Sequence, residues 1–298
     1  KVRTHYLCLR RFNAFDSDDK EDIIEHKKLG TWVSNTKTGD FEDFDRKISS
    51  IKDRICSDSD ACKSNKCNYY GQCFYYRARR RWEDAQIIVA NHSLVGVNGQ
   101  LPIKAKILPH ADVLITDEAH NLDQALSDVI GNTLSNVSFE RILSRLLRVD
   151  ENDKIKGTLS VSADILFPDF TELRSAMEAF WSTIRKEYKN KDTIKAAFKF
   201  SSLLSRLSGM IEALIDKIKT SQLGLFKEDD VLELTAEMKK LLAFSRGFKK
   251  FRGESDGCVR WVELDVKKTA HHISPIYPAD FIVKNIAPQY RSIICTSA

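Results

Sequence analysis

Apolar residues recur along this chain in two rhythms, and the switch between them divides it. Through the middle the period is helical. Phe139, Ile142, Leu143, Leu146 and Leu147 mark one stripe; Leu173, Met177, Phe180, Trp181, Ile184 and Tyr188 mark a second. Leu204, Leu207, Ile211, Leu214 and Ile218 keep nearly strict heptad spacing, and Leu234, Met238, Leu241 and Phe248 continue it. With polar breaks at 151–156 and 227–230, these stripes predict a small antiparallel helical bundle. Its Met and aromatic positions read as core.

On either side the rhythm shortens. Ala85-Gln-Ile-Ile-Val-Ala-Asn91, the Val113 to Ile115 run and Arg291-Ser-Ile-Ile-Cys-Thr-Ser297 are apolar stretches with polar ends. They are too short for helices and are of the kind buried in a parallel sheet. The stretch between the second and third is far too long for a loop, so it must hold a domain of its own. Nearer the start, Asp16 or Ser17 is placed to cap a helix through Leu29. Phe41, Phe44, Ile48, Ile51 and Ile55 predict an amphipathic helix leading to a group of cysteines. From Gly257 the alternation Cys-Val-Arg-Trp-Val-Glu-Leu-Asp predicts a strand returning to the sheet. The expected fold class is α/β with a large α insertion. The expected boundaries are 1–84 for a cysteine-rich domain, 85–130 for part of a sheet domain, 131–256 for the helical insertion and 257–298 for the return.

Composition adds limits. The 298 residues suffice for about two domains, 42% apolar residues support a core, and 30% charged residues imply a soluble surface. No apolar run approaches the roughly 18 residues of a membrane span, and no signal peptide is expected at the start. Lys at position 1 fits an excised piece or a processed start. A formal net charge of +5 favours an acidic partner only weakly.

The cysteines change the picture more. They are Cys8, Cys56, Cys62, Cys67, Cys73, Cys258 and Cys295. Four fall between positions 56 and 73, the total is odd, and the rest of the chain reads as intracellular and cytoplasmic, which argues for metal over disulfides. Four thiolates suit Zn²⁺ or an iron–sulfur cube. Structural zinc usually takes tight Cys-x2-Cys knuckles, whereas Cys62-x4-Cys67-x5-Cys73 is wider and favours [4Fe–4S]. Buried free thiols are the plainer alternative. Spacing alone leaves the fourth ligand open between Cys56 and Cys8.

Directly after Cys73 come Tyr75, Tyr76, Arg77, Arg79 and Arg80. Arginines among aromatics can neutralise phosphates and stack on unpaired bases. A solvated helix face with aromatics turned inward is the competing explanation. The third candidate closes the run Val113 to Ile115, where ligands of open α/β sheets collect. There Asp117 can hold Mg²⁺, Glu118 can polarise the water that attacks a γ-phosphate, and His120 follows. An acidic pair after a strand is more often a plain polar turn, but Asp-Glu-Ala-His spells a Walker B box.

In chain order, Tyr6-Leu7-Cys8, the Cys62/Cys67/Cys73 spacing, Cys73-Phe-Tyr-Tyr-Arg-Ala-Arg-Arg, Ile88-Val-Ala-Asn-His92, Asp117-Glu-Ala-His120 and Thr296-Ser-Ala298 resemble the DinG-type DEAH DNA helicases, relatives of the XPD family. The resemblance spans essentially the whole chain, with the helical insertion matching in position and character only. It implies a partial RecA-like parallel sheet carrying an iron–sulfur domain and a helical arch domain. It also implies Cys8 as the fourth cluster ligand, with Cys56 an extra thiol. Implied activity is ATP-dependent 5′→3′ unwinding by a monomer, on single-stranded DNA and forked or hybrid duplexes, with Mg²⁺ and ATP. His120, Thr296 and Ser297 are then expected to link nucleotide state to DNA grip. No Gly-x4-Gly-Lys-Ser/Thr loop occurs, and the chain stops at Thr-Ser-Ala, so the resemblance implies a fragment that does not hydrolyse ATP alone. A non-catalytic nucleic-acid-binding module and a redox-sensing iron–sulfur protein are the alternatives.

Overall fold

The computed structural model describes residues 2–45, 48, 51–150, 152–188, 200–221, 228–252 and 257–297. Two compact units make up the chain: Lys1–Ile115 with Asn285–Ile294, and Thr116–Lys284 with Cys295–Ala298.

The first unit is threaded around Tyr6 and Leu7. The Leu7 amide donates to the Gly39 carbonyl at 2.8 Å, and the Ser57 amide donates to the Tyr6 carbonyl at 2.7 Å. Extended backbone is thus clamped on both sides, bridged to Asp40 and to Cys56. Helix α1 (Leu9–Asn13) follows, then α2 (Lys20–Asn35). Asp19 caps α2, its carboxylate accepting from the Glu21 and Asp22 amides, so the helix starts later than Asp16 or Ser17. The Ser17 hydroxyl instead donates to Asp22. The helix also runs past Leu29, because Trp32 and Val33 pack on the same core.

The apolar series from Phe41 to Ile55 is not one helix. Asp40 caps a single turn at Phe41–Asp43, Phe44 turns extended, and α3 is confined to Lys52–Ile55. Residues 46, 47, 49 and 50 lie outside the described residues. Phe41, Ile51 and Ile55 are buried all the same. Helix α4 (Phe74–Glu83) lies over Gly39, where φ is +62° and an added Cβ would come within 2.1 Å of the Phe74 ring. Only glycine fits that crossing.

The expected strand 85–91 does not form. Ile87 and Val89 are 84% and 94% exposed, and Asn91 caps α5 (His92–Gln100) by accepting from the Leu94 amide. A strand needs a ladder partner, and none pairs with this segment among the described residues. Buried Asn98 on α5 holds the following loop, its Oδ1 accepting from the Ile107 and Leu108 amides. Strand β1 (Val113–Thr116) follows as expected.

The second unit holds α6 (Leu122–Ile130), β2 (Asn132–Ser135), α7 (Asn136–Leu146), the hairpin of β3 (Arg148–Val149) and β4 (Ile155–Lys156), α8 (Ala163–Tyr188), α9 (Ser201–Thr220) and α10 (Glu228–Arg252). All four apolar stripes face one core, with Met238 at its edge. Positions 228–230 form the first turn of α10 instead of a loop, since three carboxylates there suit the positive helix end. Strand β5 (Cys258–Leu264) forms, but it does not return to the parallel sheet: it pairs with β6 (Thr269–Pro275), which pairs with β2, and all three are antiparallel. Finally β7 (Ser292–Cys295) runs parallel to β1 in a two-stranded sheet. The molecule is therefore α/β, with a short parallel sheet and many helices. No helix among the described residues is long and apolar enough to cross a membrane.

Candidate nucleotide site and cysteine pocket

Strand β1 ends at buried Thr116, and the chain turns at once. The turn needs Glu118 in the left-handed region, φ +48° and ψ +50°. A non-glycine residue there carries strain of order 1–3 kcal/mol and is held by its surroundings. Those surroundings come from the end of β7. The Thr296 amide donates to the Thr116 carbonyl, and the Ala119 amide donates to the Thr296 carbonyl, both at 2.9 Å.

Side chains complete the join. The Thr296 hydroxyl donates to Asp117 Oδ1 at 2.8 Å, and that oxygen also accepts from the Glu118 amide at 3.0 Å. His120 Nδ1 lies 2.8 Å from the Ser297 hydroxyl and 3.3 Å from Glu118 Oε2. All five candidate residues thus share one polar corner, with Thr296 standing 179 positions from Asp117 in sequence. Glu118 and His120 are about half exposed and open to an incoming ligand. The corner thus gathers two carboxylates, an imidazole and two hydroxyls.

The cysteine pocket lies within the first unit. Cys8, Cys62, Cys67 and Cys73 line it together, and it is partly open to solvent. Three of them sit where backbone geometry changes. Cys8 caps α1, Cys67 ends the turn Ser64–Lys66, and Cys73 joins a second turn to α4. Burial pushes the Cys8 thiol up, opposed by the Arg11 amide and by the charges of Arg10 and Arg11. The Ser64 amide donates to Cys62 Sγ at 3.2 Å. Cys56 points elsewhere: it is buried, its thiol facing the Asp53 carbonyl at 3.7 Å.

Among the described residues only His5, Asp40 and Glu42 bring three candidate ligand atoms within 4.8 Å of one another, so no three of these cysteines do. One tetrahedral zinc at 2.3 Å would hold its sulfurs about 3.8 Å apart. The donor set, four thiols around one pocket, suits a soft metal group. The His5, Asp40 and Glu42 grouping has its own explanation, a turn cap by Asp40 and a His5–Glu42 pair at 3.0 Å.

Comparison with known proteins follows the same outline. Residues 31–139 match the DEAD_2 family. The whole chain aligns with the "3'-5' exonuclease DinG" of Bacillus subtilis at 24% identity, over 36% of that protein, and with the "ATP-dependent DNA helicase YoaA" of Haemophilus influenzae at 26%, over 47%. Escherichia coli YoaA is 32% identical over 45% of the chain and 22% of its own length. The chain is similar to these DinG and YoaA proteins along its whole length. It spans between about a third and a half of the length of the two relatives matched throughout.

In this chain the basic aromatic stretch divides sharply. Tyr75 is 4% exposed, packs edge-on to Tyr6 and lies under the Arg3 guanidinium at 4.4 Å. It belongs to the core and cannot stack on a base without unfolding. Tyr76 is half-buried, its hydroxyl donating to Ser64 at 3.1 Å. Arg79 donates to the Lys106 carbonyl at 2.7 Å, and Arg77 lies 5.9 Å over Phe74. Arg80 is exposed, with Tyr70 beneath it at 5.8 Å. Sequence reasoning missed Arg3, Arg10 and Arg11, the cations around the pocket. Three arginines within a few residues of Cys8 were the available signal.

Proposed function

We propose that this chain is the DNA-gripping and wedge-bearing part of an ATP-dependent DNA helicase working 5′→3′. The observation that carries the proposal is the corner where Thr296 and Ser297 meet Asp117 and His120. A nucleotide there would have its Mg²⁺ held by Asp117, usually through water, and its attacking water oriented by Glu118. Thr296 then feels any change at Asp117 through one hydrogen bond, and Ser297 feels Glu118 through His120, as a relay between nucleotide and DNA requires.

Cys8, Cys62, Cys67 and Cys73 are the ligands of a [4Fe–4S] cluster in this reading. Its support is their shared pocket and the different direction of Cys56. When bound, the cluster supplies a rigid cross-link between three turns and a one-electron redox centre. The single-stranded substrate lies against the cluster domain near Arg80 and against the helical arch.

The test is Glu118→Gln in a longer protein that also carries a phosphate-binding loop. ATP binding should persist while hydrolysis falls by orders of magnitude, because phosphoryl transfer depends on positioning. Near-normal turnover in that variant would remove Glu118 from the role.

A further inference from the structure

One turn in the wall of the cysteine pocket is strained, and a tyrosine holds it. Ser64 opens the turn that ends at Cys67, with φ at +51°. A Cβ makes the left-handed region costly, and a serine stays there only when its surroundings hold it. That backbone gives the residue a direction. The Ser64 amide donates to Cys62 Sγ at 3.2 Å, while the Ser64 carbonyl accepts from the Cys67 amide at 3.1 Å. The backbone of one residue is thus bonded to two of the four pocket cysteines.

The hold on Ser64 comes from α4. The Tyr76 hydroxyl donates to Ser64 Oγ at 3.1 Å, across 12 positions of sequence. The Tyr76 ring is fixed in its turn: it meets Tyr70 at 4.8 Å and Tyr75 at 5.3 Å, and the Arg3 guanidinium lies 5.6 Å over it. Tyr76, Ser64 and Cys62 all line the pocket. Hydrogen bonds to a ligating sulfur stabilise negative charge there, and they are among the influences that set an iron–sulfur potential. Reduction adds an electron, so an amide aimed at Cys62 Sγ favours the reduced form.

We propose that Tyr76 is a positioning residue for the cluster, holding Ser64 left-handed so that its amide stays on Cys62 Sγ and raises the reduction potential. This rests on the iron–sulfur reading given above. The experiment compares the wild-type chain with Tyr76→Phe, Ser64→Ala and Ser64→Gly, all purified anaerobically. It measures iron content and then the midpoint potential by a dithionite titration followed by electron paramagnetic resonance. Wild type should hold iron. Tyr76→Phe and Ser64→Ala remove the same hydrogen bond from its two ends, so both should shift the potential to more negative values by similar amounts. Ser64→Gly removes that bond as well, but glycine takes a positive φ without the cost of a Cβ. Its potential should stay nearer wild type.

Anything other than a negative shift in both Tyr76→Phe and Ser64→Ala would overturn the proposal, and so would a shift in Ser64→Gly as large as theirs. Loss of iron from those two variants but not from Ser64→Gly supports the strained turn. Loss from Ser64→Gly as well overturns it, because glycine should keep the turn without the tyrosine. Zinc without iron in the wild type would instead overturn the cluster reading itself, and this inference with it.

Discussion

In the helical unit, Phe170, Phe180 and Phe248 are fully covered by side chains from the helices and the β2–β6–β5 sheet. In the cysteine unit, the apolar cluster around Leu7, Leu29, Ile51 and Ile55 is smaller, and beside it lie buried arginines and four cysteines in short turns. The helical unit is held by apolar area, which acts without direction and needs nothing from outside the chain. The cysteine unit, in the iron–sulfur reading proposed above, sets its ligands on short turns of irregular backbone. Metal binding to such a site is folding free energy. The two units should therefore respond oppositely to the same treatments.

The largest difference should follow Cys8→Ser. Iron should be lost, and the cysteine unit should become sensitive to protease, while the thermal transition of the helical unit stays in place. Cys56→Ser should keep its iron. If the two variants behave in reverse, Cys56 is the fourth ligand; if one cooperative transition shifts as a whole, the contrast between the units is wrong.

Phe180→Ala turns the comparison round. Deleting a fully buried phenylalanine typically costs about 3–5 kcal/mol. Phe180 contacts Trp181, Phe200, Phe248 and His271 edge to face, so its cavity cannot easily be refilled. Denaturant unfolding should show the loss in the helical unit, with iron content unchanged.

A smaller effect lies in the same core. His271 is 2% exposed between Phe180, Trp181 and Phe251, and neither ring nitrogen has a hydrogen-bond partner. Burial, aided by nearby His272, lowers its pKa to about 4 from 6.5. The neutral ring is compatible with that site and the charged one is not. The stability this protects is complete above pH 6.5 and is lost as pH falls toward 4, amounting to roughly 3 kcal/mol for a shift of this size. Thermal unfolding between pH 7 and pH 4 should show this slope, and His271→Leu should remove it while raising the melting temperature at pH 5. A slope that survives the substitution belongs to other groups.

How much of this was legible beforehand follows the same division. Helical stripes named the buried faces of α7 to α10, because a self-contained bundle writes its core into its period. Strand 85–91 read as apolar and buried, yet Ile87 and Val89 face solvent, since a run of hydrophobic residues says nothing about whether a ladder partner exists. The same holds in part for β1 and β7, which pair while Val113, Ile115 and Ile294 stay exposed. At the nucleotide corner the residue types were legible, and so was the approach of Thr296 and Ser297. The left-handed Glu118 was not, because no local pattern demands that a glutamate adopt it. Around the cysteines, spacing pointed to a wide site but could not show which arginines turn inward.

That last gap gives the smallest and sharpest prediction. Arg77, Arg79 and Arg80 look equivalent in sequence, yet the structure separates them. Arg79 hydrogen-bonds the Lys106 carbonyl, while Arg80 is exposed beside Tyr70. Each phosphate contact with a single strand releases counterions and contributes about 0.7 to the slope of log affinity against log salt. Arg80→Ala should thus flatten the slope for single-stranded DNA by up to about 0.7, with melting temperature and iron content unchanged. Arg79→Ala should lower the melting temperature of the cysteine unit and leave the slope nearly as it was. Fluorescence anisotropy at several salt concentrations, paired with calorimetry, separates the two effects. If Arg79→Ala changes the slope and Arg80→Ala does not, the strand runs along the face where Arg79 and Lys106 meet, and the exposed face of α4 faces only water.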